Sequence, residues 1–132
     1  MDINRTEQAV WYKHNGYNCC MSVLMAYKDE LGLDETTVRR LCVAFGSGMG
    51  GMDGTCGALV AAEMALGLKL YEGKPMHADA RELYDTFKDM CGSAVCREIK
   101  GTDTGKMLCS CDDCIRNAVK ILDKKFTPDG GN

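Results

Sequence analysis

Nine cysteines in a chain of 132 residues are the feature of this sequence that can do chemistry. They are Cys19, Cys20, Cys42, Cys56, Cys91, Cys96, Cys109, Cys111 and Cys114. The opening residues, Met1-Asp2-Ile3-Asn4-Arg5, lack the charged-then-apolar pattern of a secretory signal, so the expected compartment is the cytoplasm. Thiols stay reduced there, and a high cysteine density points to metal binding or redox work. The odd count also argues against a fully paired disulfide framework. Thiolate is the form that binds metals and attacks disulfides. The free N–H groups and positive dipole end of a helix start stabilise that form.

The positions of helix starts therefore decide which cysteines matter. The pattern predicts an all-α domain of five or six short helices punctuated by glycine. A first helix is expected from about Asn4 to His14. Asn18 should cap a second one, running to Leu31 with Cys20, Val23, Leu24, Tyr27 and Leu31 along one face and Gly32 at its end. Asp34 should cap a third, with Val38, Leu41, Cys42 and Phe45 as its stripe. A loop with five glycines, Gly46 to Gly54, follows. Thr55 is then expected to cap a fourth helix, Cys56 to Leu66, ended by Gly67. It is apolar nearly all round and so should be buried at the centre. Its small residues Gly57, Ala61 and Ala65 allow close helix contact and leave room for a homodimer. A fifth helix is predicted over about His77 to Met90, carrying Ala80, Leu83, Tyr84, Phe87 and Met90, then a short turn at Cys96-Arg97-Glu98-Ile99. The last helix runs from Ser110 to Phe126, with Ser110 and Asp113 at capping-box spacing. Residues 1–126 read as one domain and 127–132 as a disordered tail.

On this frame Cys20, Cys42 and Cys91 fall on core stripes, where free cysteine is an ordinary small apolar filler. Cys19, Cys56, Cys96, Cys111 and Cys114 instead lie at, or within a turn of, a helix start. Cys109-Ser110-Cys111 and Cys111-Asp112-Asp113-Cys114 form one dense cluster, and a two-residue gap lets two sulfurs share a metal or pair.

Asn18-Cys19 opening a helix, Cys56-Gly57-Ala58 after a glycine-rich loop, Cys96-Arg97-Glu98-Ile99 and Cys114 on the last helix resemble the family of redox-active proteins known by the pattern C-GCAxxG-C-C. The resemblance spans Gly16 to Leu122. It implies a small helical redox protein and carries the four family cysteines onto Cys19, Cys56, Cys96 and Cys114. One departure is Ala61, where the family motif continues to a second glycine.

Four converging thiolates repel one another unless a metal, a cluster or oxidation offsets their charge. An iron–sulfur cluster held by Cys19, Cys56, Cys96 and Cys114 is the leading expectation, for electron transfer with a partner oxidoreductase. Gly54, Gly57 and Cys111 are candidate cofactor contacts, through backbone N–H groups and a nearby sulfur. Two alternatives stand beside it. One is a thiol–disulfide protein without metal, in which the same four are redox-active thiols and Cys111 or Cys109 resolves Cys114. The other is a structural zinc site.

Other features carry less. Gly46 to Gly51 matches Gly-x-Gly-x-x-Gly, but a helix precedes it and no βαβ frame or P-loop lysine is present, so a turn letting backbone approach the cysteines is the reading. His14 and His77 are candidate ligands or proton carriers, and His14, which continues the apolar stripe from Val10, reads as a core-edge residue. Glu63 reads as a salt-bridged or solvated edge two turns from Cys56. The nine methionines are scattered and read as core filling. Net charge is −3 with no basic stripe, so nucleic acid is not an expected partner. The apolar run Cys56 to Leu68 is too short for membrane insertion. No activated serine or carboxylate pair supports a hydrolase, so an electron carrier or oxidoreductase accessory protein is expected over a stand-alone enzyme.

Overall fold

The computed structural model describes residues 4–127. The expected tail lies, from residue 128 onward, outside them. Among the described residues eight right-handed helices run in order: α1 Arg5–Lys13, α2 Cys19–Ala26, α3 Lys28–Leu31, α4 Glu35–Cys42, α5 Gly57–Leu70, α6 His77–Cys91, α7 Cys96–Lys100 and α8 Cys111–Phe126. A 3₁₀ turn, Val43–Phe45, extends α4. The all-α class follows, and the one backbone bridge among the described residues joins Thr55 to Val95. No helix among these residues is long and apolar enough to cross a membrane.

Side-chain caps set half of these helix starts. Asn4, Asn18, Asp34 and Ser110 each accept an N–H from the third residue on, satisfying one of the orphan donors there. Asn18 does more, because its amide also donates to Cys42 O at 3.1 Å. That bond ties the start of α2, and hence Cys19, to the end of α4. Left-handed Gly32 closes α3 as expected, with φ of 71°.

The centre of the molecule is shared by α2 and α5. Every residue from Cys20 to Ala26 is buried, so α2 is enclosed all round and not one-sided as its stripe suggests. Tyr27 interrupts the long second helix, splitting it into α2 and α3, and its hydroxyl donates to Val119 O at 3.1 Å and to Asp123 Oδ1 at 2.6 Å on α8. Helix α5 packs on α2, α6 and α8. Its small residues face inward: a methyl on Gly57 would stand 3.0 Å from Phe45 O and 3.2 Å from Cys20 N. The close contact they permit is therefore used within the chain.

Four local expectations are corrected. Cys56 and not Thr55 is the cap of α5, because Thr55 is held extended against Val95. The helix runs past Gly67 to Leu70, since Gly67 keeps helical geometry in mid-helix. Leu41 is 44% exposed because α4 buries the line of Val38 and Cys42, a third of a turn away. Met90 is exposed for the same reason, as α6 buries Leu83, Phe87 and Cys91.

Candidate redox and metal centre

The antiparallel bridge between Thr55 and Val95 ties the segment entering α5 to the one entering α7, and Cys56 and Cys96 flank it on opposite sides at the two helix starts. Cys56 N–H donates to Ala94 O at 2.8 Å, and Cys96 N–H donates to Gly54 O at 3.0 Å. Gly54 thus serves the site through its carbonyl. Arg97 N–H donates to Met52 O at 2.7 Å, and the Arg97 side chain pairs with Asp53 at 2.9 Å. These contacts clamp the glycine-rich loop onto α7.

That loop is wound the wrong way for L-residues. Ser47, Gly48, Met49 and Gly50 have φ of 52°, 58°, 64° and 94°. Left-handed backbone costs a non-glycine residue about 1–2 kcal/mol, and such strain concentrates at functional sites. The winding presses Gly48 against Cys96: a methyl on Gly48 would sit 2.5 Å from Cys96 Cβ and 3.3 Å from its Sγ. The loop is a close backbone approach to the cysteines, as its glycines suggest.

Under the loop lies a cavity of about 260 Å³ walled by Cys19, Cys56, Cys96 and Cys111, with Lys13 and Lys100 beside them. Gly57 is also on the wall. Three of the expected cysteines, Cys19, Cys56 and Cys96, meet there. Cys114 lies one turn deeper on α8, and its thiol hydrogen-bonds to the Cys56 sulfur. Cys111, at the first turn of the same helix, is the fourth sulfur on the wall.

The electrostatics favour thiolate at two of the four cavity sulfurs, Cys111 and Cys56. Cys111 is drawn down to about 5, first by the Cys19 thiol that donates to it and then, against the cost of burial, by the Lys100 and Lys13 ammonium groups. Cys19, the donor, is pushed up correspondingly. Cys56 falls to about 7 through the Cys114 thiol, and the Ala58 and Leu59 N–H groups at the start of α5 add to this. Burial raises Cys96.

Lys100 gives no signal in the sequence, where it reads as an ordinary basic residue closing a short helix. Its Nζ is buried with no oxygen or nitrogen partner, and the Cys111 sulfur faces it. A buried ammonium without a carboxylate is costly unless negative charge lies nearby. Burial works against its charge, but the Cys111, Cys114 and Cys56 sulfurs outweigh this and hold its pKa up.

This arrangement predicts an unusual pH profile. A thiol lowered to about 5 is thiolate at every pH above that value, whereas an ordinary thiol near 8.5 is about 1% ionised at pH 6.5. Alkylation of Cys111 in the reduced, metal-free protein should therefore be nearly flat from pH 6 to 9. Lys100→Met should move the inflection upward. Peptide mass spectrometry across a pH series measures both, and a rate climbing through pH 8–9 in the unaltered protein would contradict the geometry.

A second sulfur group lies below the first. The sulfurs of Cys91, Cys109 and Cys114 are all within 4.8 Å of one another, close enough to hold one metal ion. Cys91 is buried in the core as its stripe predicts, and it also belongs to this sulfur group. Cys91 ends α6, and Gly92 then turns left-handed (φ 91°) so that Leu108 packs over it and brings Cys109 alongside. Cys20 and Cys42 form a separate buried sulfur contact between α2 and α4.

The remaining candidates fall away from the sulfurs. His14 is exposed and bonds Asp112 at 2.8 Å, not a core edge, because it lies past the end of α1. His77 is exposed. Glu63 forms no ion pair among the described residues. Its Oε1 is buried without a partner, and burial lifts its pKa to about 7.

A family profile described as "Putative redox-active protein (C_GCAxxG_C_C)" matches residues 17–125 of the chain. No curated protein and no solved structure matches it.

Proposed function

Because the chain belongs to the C_GCAxxG_C_C family of redox-active proteins, we propose that it is an electron-transfer protein in which Cys19, Cys56, Cys96 and Cys111 hold an iron–sulfur cluster in the cavity beneath the glycine loop. One observation carries this reading: four sulfurs from the starts of four helices wall one cavity beside a buried ammonium that has no other partner.

The donor set and the spacing both fit. Four cysteine thiolates are the common ligand set of such clusters. Among the described residues no three of these sulfurs lie within 4.8 Å of one another, the closeness a single ion asks for. A multi-iron guest spreads its terminal sulfurs over more than one iron, so Cys19 and Cys111, which touch, would share one, and about 260 Å³ is ample beside the roughly 30 Å³ share of one water. The same spacing weakens the case for zinc in this cavity. When bound, the cluster supplies one-electron acceptance and release.

The chain's own groups then have defined work. Lys100 and Lys13 offset the negative charge of the thiolates. The Ala58 and Leu59 N–H groups face the Cys56 sulfur and tune its basicity. The strained loop excludes water from one side, and its exposed outer face is where a redox partner protein would approach.

Protein purified without oxygen from iron-replete cells is expected to be brown and to contain iron and acid-labile sulfide in proportion. A colourless, iron-free preparation refutes the cluster. The contact between Cys19 and Cys111 favours a second reading, a dithiol that forms a disulfide and gives two electrons and two protons to a partner disulfide. A colourless protein with a two-electron couple that Cys111→Ser abolishes would establish it.

A further inference from the structure

The sulfurs of Cys91, Cys109 and Cys114 are left unused by the cavity. We infer that they form a second metal site, beneath the cavity and adjoining it where Cys114 meets Cys56, which takes a soft d¹⁰ ion in three-coordinate thiolate geometry, and that monovalent copper is the ion it fits.

The site is built by backbone geometry. Gly92 carries φ of 91°, and a methyl there would stand 3.1 Å from Leu108 Cδ1. Leu108 N–H donates to Ile99 O at 2.8 Å, which fixes the segment leading to Cys109. Ser110 caps α8 and thereby sets the position of Cys114. Three elements thus deliver three sulfurs to one point, where all lie within 4.8 Å.

The donors select the ion. No imidazole or carboxylate joins the group, and an all-sulfur set prefers soft ions such as Cu(I) or Zn(II). Zinc asks for a fourth ligand. Among the described residues no fourth thiolate, imidazole or carboxylate lies within 4.8 Å of all three sulfurs to complete a tetrahedron. Monovalent copper is satisfied by three thiolates. Half-buried Cys109 gives it a way in.

The surroundings suit charged sulfur. The Asn117 amide donates to Cys91 Sγ at 3.2 Å and leans toward Cys109 Sγ at 3.9 Å. Such donors stabilise ligating groups, and their loss commonly costs 10–100-fold in affinity. The Lys100 ammonium lies near enough to Cys91 and Cys114 to offset part of their charge.

The test uses the full chain, reduced, metal-free and without oxygen, titrated with Cu(I) against a chromophoric chelator. The double variant Cys19→Ser/Cys111→Ser, which lacks two cavity sulfurs, should still bind one equivalent, with three sulfur neighbours by X-ray absorption. Cys109→Ser should lose that equivalent while circular dichroism shows it folded. Asn117→Ala should bind about 10–100-fold more weakly. The inference is overturned if Cys109→Ser binds copper as tightly as the unaltered protein, if the double variant loses the equivalent, or if only two sulfurs surround the metal. Because the double variant cannot assemble the four-sulfur cavity, these results are read independently of the cluster.

Discussion

Cys56→Ser protein prepared without oxygen is expected to lose all of its visible absorption and bound iron while keeping its fold. Cys56 is the sulfur that joins a helix start, the cavity and the layer beneath it. It caps α5, walls the cavity and accepts from the Cys114 thiol behind it. Serine is a good replacement for the first of these roles, because a hydroxyl oxygen is among the best acceptors for the free N–H groups at a helix start. It is a poor replacement for the others, since a hard, protonated oxygen does not substitute for a soft thiolate as an iron ligand. Melting temperature should therefore move by a few degrees at most, with the chromophore gone. Cys42→Ser is the matched control, a buried cysteine whose sulfur contacts Cys20 and not the cavity. It should keep the colour. Colour and iron retained at full stoichiometry in Cys56→Ser would remove the cavity from consideration as the redox centre.

The helices were legible because local chemistry sets them. Asn18, Asp34 and Ser110 announce their caps in the sequence, and each accepts the expected N–H. The convergence of Cys19, Cys56 and Cys96 was legible only through the family pattern, since no local rule links residues so far apart. Choosing between Cys111 and Cys114 was beyond either signal. The two stand one turn apart on α8, so both point the same way, and only the depth at which the helix is buried separates the cavity wall from the layer beneath. Cys91 was hidden for a related reason. Its place on the buried face of α6 is real, but what packs on that face is more sulfur, delivered by the turn at Gly92. Lys100 was invisible because its burial comes from the loops around it. Glu63 was misjudged because the apolar surroundings of α5 extend over its edge and no cation reaches it.

These misses share a cause with the site's physics. Four helix starts aimed at one point create a positive, N–H-rich focus that no single segment encodes. Two lysines enlarge it, and the sulfurs discharge it. The glycine loop closes the arrangement, and its strain means that the closure is held in place by neighbours and not by its own preference. Gly50 N–H donates to Gly46 O at 2.9 Å, Met52 N–H to Ser47 O at 2.8 Å and Gly54 N–H to Gly48 O at 3.0 Å. These bonds and the Arg97 clamp hold Ser47 and Met49 left-handed.

Gly48→Ala should therefore be among the most damaging single-methyl changes in the protein. The added carbon would fall 2.5 Å from Cys96 Cβ and 3.2 Å from Gly54 O. Neither is the free end of a flexible side chain, so backbone must move. Overpacking of this kind costs about 1–3 kcal/mol, and a left-handed alanine adds about 1–2 kcal/mol. In a domain of this size that sum lowers Tm by on the order of 10 °C. Gly50→Ala separates the two contributions: its φ of 94° imposes the backbone cost, but nothing lies within 4 Å of the new methyl. It should lower Tm by roughly half as much and leave the iron content unchanged, whereas Gly48→Ala should also displace Cys96 and lose iron. Thermal melts and iron analysis of the pair decide it. Equal losses of stability, with iron retained in both, would mean that Gly48 is not pressed on Cys96 and that the loop does not shape the cavity.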